Sequence, residues 1–331
     1  MKKVLITGGA GFIAHHLIEH ILKTTDWDII SLDRLDFSGN LNRLAEVVNQ
    51  YDSGIRQRVK VIFHDLKAEL NHQIVKAIGD VDIILHLAAS SHVDRSIEFP
   101  MEFIMDNVVG TCNILNYARS LPKLERFIYF STDEVFGPAP SGVNYDEYAR
   151  YNSSNPYSAS KAGGEEIAVA FANTYKLPLY ITHTMNVFGE RQHPEKYIPV
   201  CIKRVRDGEK ITIHSDPTKT IPGSRYYIHA NDVSSALLFI LNLKDQPNGS
   251  KFNVVGREEI NNLQLAQMIA DVQGKELIYE LSDFHSARPG HDLRYALSGD
   301  RMRNLGWEPQ ISLKDRISEV VQWTLANDRW L

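Results

Sequence analysis

Short runs of apolar and β-branched residues recur through the first half of the chain: Val4 to Ile6, Ile29 to Leu32, Val59 to Phe63, Ile83 to Leu87, Phe127 to Phe130 and Leu179 to Thr182. Runs of this length without polar alternation are the pattern of parallel strands buried on both faces. The longer stretches between several of them read as helices, which predicts an α/β fold with a doubly wound parallel sheet. After about Asn186 the rhythm is broken by Pro194, Pro199, Pro217, Pro222, Pro247, Pro289 and Pro309. This part predicts a smaller, mixed α/β lobe towards the C-terminus. Within it Asn231 to Asn242 reads as an apolar helix and Lys251 to Val255 as a strand. The expected division is a sheet domain over 1–185, with 231–256 returning to it, and a second lobe over 186–230 and 257–331.

Directly after the first strand comes Gly8-Gly9-Ala10-Gly11-Phe12-Ile13-Ala14, followed by a helical pattern from Phe12 to Leu22. A glycine turn between strand and helix lets the backbone approach a pyrophosphate, and the helix N-terminus offers oriented N–H groups to the anion. This makes the sheet Rossmann-type, with Gly8, Gly11, Phe12 and Ile13 as cofactor contacts. Asp33 closes the second strand, where a carboxylate accepts hydrogen bonds from ribose hydroxyls and favours NAD over NADP. Arg34 beside it keeps the pairing with a 2′-phosphate open. Asp65 and Leu66 after the third strand frame the adenine, or Asp65 is a helix N-cap.

Tyr157 and Lys161 lie four residues apart in Tyr157-Ser158-Ala159-Ser160-Lys161. A helix beginning near Pro156 stacks them on one face. A fixed ammonium and an oxidised nicotinamide ring together favour the phenolate, a base for a sugar hydroxyl. The segment Phe130-Ser131-Thr132-Asp133-Glu134-Val135-Phe136-Gly137 sits at the carboxyl end of a buried strand, where doubly wound sheets place ligands. Two adjacent carboxylates there are expected to have separated proton affinities, so that one holds a proton while its neighbour is a base.

Thr7 to Ala14, His86 to Ser96, Ser131 to Gly137 and Tyr157 to Lys161, in this order, resemble the extended short-chain dehydrogenase/reductase superfamily. Within it Thr132-Asp133-Glu134, Ser91 to Ser96, Pro194-Glu195-Lys196 and Arg288-Pro289-Gly290-His291-Asp292 look like dTDP-glucose 4,6-dehydratases, nearly end to end. The resemblance implies an NAD-dependent lyase with Thr132, Asp133, Glu134, Tyr157 and Lys161 as catalytic residues. Tyr157 takes the C4 hydroxyl proton as hydride passes to NAD, and Thr132 bonds that oxygen. Glu134 removes the C5 hydrogen, Asp133 protonates the departing C6 hydroxyl, and hydride returns to C6. Ala88, Tyr157 and Lys161 join the cofactor contacts. Ser91, Asn186, Glu195 and Lys196 line the approach to the sugar or diphosphate, and Arg225, Asn253, Arg288 and His291 the nucleotide.

The sequence departs from the family at Ala14, His15, Ser90 and His183, the last where an arginine is usual. The long stretch Ser215 to Ser224 leaves the base of the nucleotide open. A C4 epimerase or decarboxylase uses the same tyrosine and lysine, and an NAD-sensing regulator the same fold. The acid pair favours the dehydratase. The resemblance also implies a homodimer through the helix from about Pro100 to Arg119 and the one bearing Tyr157. Ile104, Val108, Ile114, Ile167, Val169 and Phe171 fit that interface, and equally fit packing on the sheet.

The chain has 331 residues, a net charge of -5 and 43% hydrophobic content. Without a basic run, neither a nucleic-acid footprint nor a membrane patch is expected, and small molecules are the expected ligands. Cys112 and Cys201 stand far apart, with no spacing for a disulfide framework or a zinc site. His16 and His20 share a helix face but find no third ligand nearby in sequence, so no metal is expected and both read as solvated. His214, His229 and His285 read as isolated. The apolar run at the N-terminus ends at Thr7-Gly8, too short for a signal peptide or a membrane span, which points to the cytoplasm.

Overall fold

The computed structural model describes residues 1–36, 38–283 and 292–331. The six early runs become β1 (Lys3–Thr7), β2 (Asp28–Asp33), β3 (Val59–Phe63), β4 (Ile83–His86), β5 (Arg126–Thr132) and β6 (Leu179–Thr184). The chain then adds β7 (Asn186–Phe188), β8 (Ile211–Ser215) and β9 (Ser224–His229) in the second half. Strand β10 (Ser250–Val254) returns to the first sheet, beside β6. The result is a seven-stranded sheet in the order β10-β6-β5-β4-β1-β2-β3, parallel at every junction. The order reverses between β1 and β4, and ligands of such sheets bind outside the carboxyl ends of the strands at that reversal.

Both faces of the sheet are covered, which explains why the strands lack polar alternation. Val4 and Ile6 of β1 enter one core with Leu17, Ile18 and Ile21 of the helix Phe12–Thr24 and Val233 and Leu237 of the helix Ala230–Asn242. Leu5, between them, faces the other way, into a second core with Ile114 and Leu115 of the helix Gly110–Ala118 and Ala168 and Ala172 of the helix Pro156–Tyr175. Ile114 is therefore spent on the sheet and does not reach an outer surface. A third core fills the C-terminal part. There β9 lies between β7 and β11 (Glu259–Asn261), and β8 pairs in parallel with β12 (Tyr279–Asp283). The helices Tyr197–Asp207, Asn262–Gln273 and Leu313–Ala326 contribute Ile202, Ile269 and Ile317 to that core.

The helix expected from Pro100 to Arg119 is interrupted. Met105–Val109 forms a π-helical segment between Pro100–Ile104 and Gly110–Ala118. Asn107 in this bulge is buried; its amide group bonds Ser90 O at 2.9 Å and Ser160 Oγ at 2.8 Å, and it accepts from Ser90 N at 2.9 Å. The inserted residue swings that side chain between the loop after β4 and the helix bearing Tyr157. Gly164 permits the approach, since a Cβ there would lie 2.4 Å from Asn107 O. Among the described residues no helix is long and apolar enough to cross a membrane.

Candidate active site

The glycine turn and the loop after β4 meet at the reversal of the sheet. Gly8 has φ +71°, and a Cβ on it would come within 2.9 Å of Ala88 Cα. Gly8 O accepts from Gly11 N at 2.8 Å, closing the turn. Gly11 is the N-cap of the helix Phe12–Thr24 and has no side chain to satisfy the first N–H groups, so the end of the helix is left for an anion. Asp33 holds the turn from the other side. Its Oδ2 accepts from Ala10 N at 3.0 Å and its Oδ1 from Leu35 N at 2.7 Å.

Arg34 is not free for a 2′-phosphate. Its guanidinium bonds Asp36 Oδ2 at 2.8 Å and both oxygens of Asp106, at 2.5 and 2.8 Å, and Asp65 lies 3.5 Å away. These carboxylates hold its pKa above the usual value although burial opposes them. Asp65 itself accepts from Lys67 N at 2.9 Å in a turn, and no helix follows directly. The Leu66 carbonyl accepts from the Asn113 amide at 2.7 Å, which pins this loop to the helix Gly110–Ala118.

Beneath Ala88 runs a hydrogen-bond chain that sequence reasoning missed. Ala88 N donates to Thr7 Oγ1 at 3.1 Å, and that hydroxyl, already an acceptor, donates to His86 Nδ1 at 2.7 Å. His86 Nε2 then donates to Thr111 Oγ1 at 3.0 Å, which donates to Asn107 O at 2.6 Å. Because the Thr111 hydroxyl gives its proton to Asn107 O, His86 Nε2 must be the donor to it, and in the neutral ring Nδ1 accepts from Thr7. Burial, assisted by the Lys161 charge, pushes the His86 pKa down to about 3, in keeping with that state. Thr7, His86 and Thr111 lie far apart in sequence; strand pairing sets Thr7 beside His86, and the helix Gly110–Ala118 packed on the sheet brings Thr111.

The acid pair stands on a single 3-10 turn, Asp133–Phe136, at the end of β5. Thr132 caps this turn, and its hydroxyl donates to Asp133 Oδ1 at 3.0 Å. The helix Pro156–Tyr175 starts opposite, with Pro at its first position and a capping box between Asn155 and Ser158. Asn155 also donates from its side-chain amide to Glu134 Oε2 at 3.2 Å, so the cap of one element orients the acid of the other. Tyr157 is buried against Val93 and Phe103, with its hydroxyl near Thr132. Lys161, one turn on and buried, donates to Phe130 O at 2.7 Å. Thr132, Asp133, Glu134, Tyr157 and Lys161 thus converge, as the sequence predicts.

Their electrostatics are dominated by burial. It raises Asp133 to about 6, and burial together with the Asp133 charge raises Glu134 to about 7. Groups this close titrate as a pair, which near neutrality carries about one proton. The order is opposite to the one the acid and base roles suggest. Hydrogen bonds favour the charged form of both groups, Asn155 bonding Glu134 and Thr132 bonding Asp133, while Asp133 Oδ2 is buried with no partner among the described residues. Burial and Glu134 also hold the Tyr157 phenol above its ordinary pKa, while burial brings Lys161 down to about 7 against the pull of Glu165. The protein surroundings alone therefore oppose the phenolate. The expected depression of the phenol draws on the positive nicotinamide ring as well as on the ammonium.

Of the residues expected at the substrate, several face this centre. The charges of Arg225 and Lys196 reach Glu134 and oppose its rise. Arg225 donates to the carbonyl oxygens of Ser224 at 2.6 Å, Leu293 at 2.7 Å and Asp292, and lies 4.6 Å from the Tyr295 ring. Three neutral acceptors fix the guanidinium and leave its charge to act on an anion. Ser91, Asn186 and Glu195 are exposed. Glu195 Oε2 lies 4.0 Å from His92 Nε2, which draws the loop after β4 and the Pro194–Lys196 segment together. Arg288 and His291 lie outside the described residues.

Three readings are corrected. Asn253 is fully buried in β10 and its amide is consumed by His183, Tyr145 and Ser298, so it cannot line a nucleotide pocket. His16 is not solvated but 1% exposed. The helix Ala230–Asn242 packs over it, and its ring reaches Asn231 Oδ1 at 3.1 Å and Glu190 O at 3.0 Å. His229 is likewise buried, 3.3 Å from Glu190. Both act as joints between the cofactor helix and the segments around β7 and β9.

Comparison with known proteins agrees with this geometry. Residues 5–320 match the family model described as GDP-mannose 4,6 dehydratase. A dTDP-glucose 4,6-dehydratase of Shigella flexneri is 34% identical over 352 residues, covering 99% of this chain and 94% of the relative. The human dTDP-D-glucose 4,6-dehydratase is 34% identical over 331 residues, covering 98% and 91%. The crystal structure of DesIV, a dTDP-glucose 4,6-dehydratase from Streptomyces venezuelae with NAD and TYD bound, superposes with a TM-score of 0.86 at 32% identity, covering 99% of this chain and 98% of that one. With the glycine turn, the acid pair and the Tyr157–Lys161 helix in one cleft, the chain belongs to the nucleotide-sugar 4,6-dehydratase family of the extended short-chain dehydrogenases/reductases.

Proposed function

We propose that the chain is an NAD-dependent lyase that converts a nucleoside-diphosphate hexose, dTDP-glucose in the first instance, into its 4-keto-6-deoxy product. The observation that carries this reading is the pair of buried Asp133 and half-buried Glu134 beside Tyr157, a charge arrangement that an epimerase or a sensor has no use for. The residues present fit the cofactor. Gly8 leaves room that a Cβ would fill, Gly11 leaves the helix end uncapped, Ala88 closes the opposite side, and both oxygens of Asp33 keep a lone pair for ribose hydroxyls. The carboxylates around Arg34 repel a 2′-phosphate. Bound there, NAD supplies a reversible hydride acceptor.

The chain's own residues handle the protons. Tyr157 takes the proton of the C4 hydroxyl, with Thr132 bonded to the same oxygen and Lys161 supplying positive charge nearby. The C4 ketone acidifies the C5 hydrogen, which Glu134 removes. Asp133 delivers its proton to the C6 hydroxyl, which leaves as water; with the C4 hydride returned to C6, Glu134 gives its proton back to C5 and the proton held by Tyr157 restores Asp133, so the overall reaction loses one water with no net change of redox state. Residues 1–185 with 231–256 hold the cofactor in this reading, and 186–230 with 257–331 the nucleotide sugar. Arg225 and Lys196 attract the diphosphate. We propose a homodimer through the outer face of Pro100–Val109 and the Tyr157 helix, where Met101 and Ile104 are 67% and 37% exposed. A stable monomer in light scattering removes that part.

Incubation of the purified protein with dTDP-glucose and, separately, UDP-glucose, without added NAD, tests the reading. Loss of one water in the product mass supports it and identifies the base. An unchanged mass with inverted C4 makes the enzyme an epimerase. No turnover even after NAD is added overturns the enzymatic reading.

A further inference from the structure

Behind the catalytic turn lies a fully buried ionic network that the reaction does not use. Glu165 follows Tyr157 and Lys161 at successive four-residue steps on the same helix. His183 on β6 stands beside Ser131 of β5 and Asn253 of β10, its register partners. Glu165 and His183 are both 0% exposed. His183 Nε2 is 3.1 Å from each oxygen of Glu165, and its Nδ1 is 3.1 Å from Asn253 Oδ1.

The protonation of His183 follows from hydrogen-bond accounting. The Asn253 amide nitrogen donates to Tyr145 O and to Ser298 O, each at 3.1 Å. Two carbonyl acceptors fix the orientation of that amide, so it is the oxygen that faces His183 Nδ1. Both ring nitrogens therefore look at oxygen acceptors, one an amide and the other a carboxylate; the Tyr151 hydroxyl, 3.5 Å from Nε2, gives its proton to Glu165 Oε1. Either neutral tautomer would press a ring lone pair against one of them in a space without water, a cost comparable to a lost buried hydrogen bond. We infer that His183 is held as a doubly protonated imidazolium and acts as a positioning residue, fixing the Tyr157–Lys161 helix against the turn that carries Asp133 and Glu134.

The other charged and titratable groups near the ring come from two elements. Tyr151 and Glu147 lie in the segment before the helix: Tyr151 OH bonds Glu165 Oε1, and Glu147 accepts from Asn253 N at 3.1 Å. Lys251 of β10 lies 3.0 Å from Glu165 Oε1 and donates to Tyr151 OH at 2.6 Å. Phe136, the last residue of the acid turn, sets its ring edgewise to His183 at 4.8 Å and to Tyr151 at 5.3 Å. One cation thus ties the helix through Glu165, β10 through Asn253 and the acid turn through Phe136. An arginine at this position, usual in the resembling family, would keep a charge of the same sign.

Nitrogen-15 NMR of histidine-labelled protein tests the inference. At about pH 8, well above the ordinary imidazole pKa of about 6.5, one histidine is expected to show both ring nitrogens protonated, and that signal to vanish in H183R. Turnover gives the second readout, which rests on the dehydratase reading. H183Q is expected to lower kcat about tenfold with KM little changed, because the reacting groups are misplaced rather than lost, and H183R to restore most of it. Absence of a doubly protonated histidine, or wild-type kcat in H183Q, overturns the inference. If H183Q does not fold, the spectra of the wild-type and H183R proteins decide. A wild-type protein with the imidazolium signal and no dehydration refutes the proposed reaction and leaves the inference standing.

Discussion

The Thr132 hydroxyl donates to Asp133 Oδ1 over 3.0 Å, while Oδ2 of the same carboxyl is buried without a partner among the described residues. A carboxyl held by one oxygen, with the other buried and free of a partner, can keep a proton on the second oxygen and pass it to a leaving hydroxyl. D133N keeps the shape and removes the proton. The oxidation at C4, which relies on Tyr157, should survive, while the loss of the C6 hydroxyl slows by about 10²–10⁴-fold. Stopped-flow absorbance should then show reduced nicotinamide accumulating on mixing with substrate. Turnover at the wild-type rate without that accumulation would remove Asp133 from the role.

The same substitution has an opposite effect on stability. Burial raises Asp133 from 3.8 to about 6, a rise of about two pH units. A carboxyl whose folded-state pKa is raised binds protons more readily in the native than in the unfolded chain, so the native state loses stability as pH climbs from about 4 through about 6. Above that range the cost is on the order of 2–3 kcal/mol. D133N should therefore be more stable than the wild type at pH 8 and lose this advantage at pH 4. Urea titrations at the two pH values measure the difference. An equal or lower stability at pH 8 would mean that neighbouring groups compensate the buried charge.

Much of the frame was legible because burial on both faces leaves a plain signal. Val4, Leu5 and Ile6 are all apolar since one core takes the first and third and the other takes the second. Tyr157 and Lys161 were legible because four residues make one helical turn. What required the coordinates was everything set by distant pairing. Asn253 looked like a nucleotide contact until β10 was seen to pair with β6 and turn its amide onto His183. His16 looked solvated beside His20 because helical spacing does not reveal the helix Ala230–Asn242 that covers it. The π-helical segment is equally silent in the sequence, since the side chain that profits from it, Asn107, bonds residues 17 and 53 positions away.

The carboxylates around Arg34 carry a prediction about cofactor choice. Asp36 and Asp106 both bond its guanidinium, and a 2′-phosphate brought to the Asp33 hydroxyl site would meet their negative charge. Removing one charge while keeping the amide geometry, in D36N, should improve NADP binding relative to NAD by about tenfold, or 1.4 kcal/mol. Titration of cofactor-stripped protein with each dinucleotide gives the ratio. If the ratio does not move, discrimination rests on Asp33 alone.

Gly8 offers the most local test of the cofactor cleft. Its φ of +71° costs an L-residue about 1–2 kcal/mol, and a Cβ would also press on Ala88 Cα at 2.9 Å and Ala88 N at 3.0 Å. Ala88 has little freedom to withdraw, because its N–H is held by Thr7 Oγ1 in the chain that continues through His86 to Thr111. The strain therefore falls on the two loops that meet at the reversal of the sheet, not on the strands beneath them. G8A should fold, with stability lowered by about 1–3 kcal/mol, and should lose its cofactor during purification. The released nucleotide, quantified after denaturing equal amounts of each protein, gives the comparison. A variant that retains cofactor as the wild type does would show that the turn opens without loss and that contact between Gly8 and Ala88 does not shape the site.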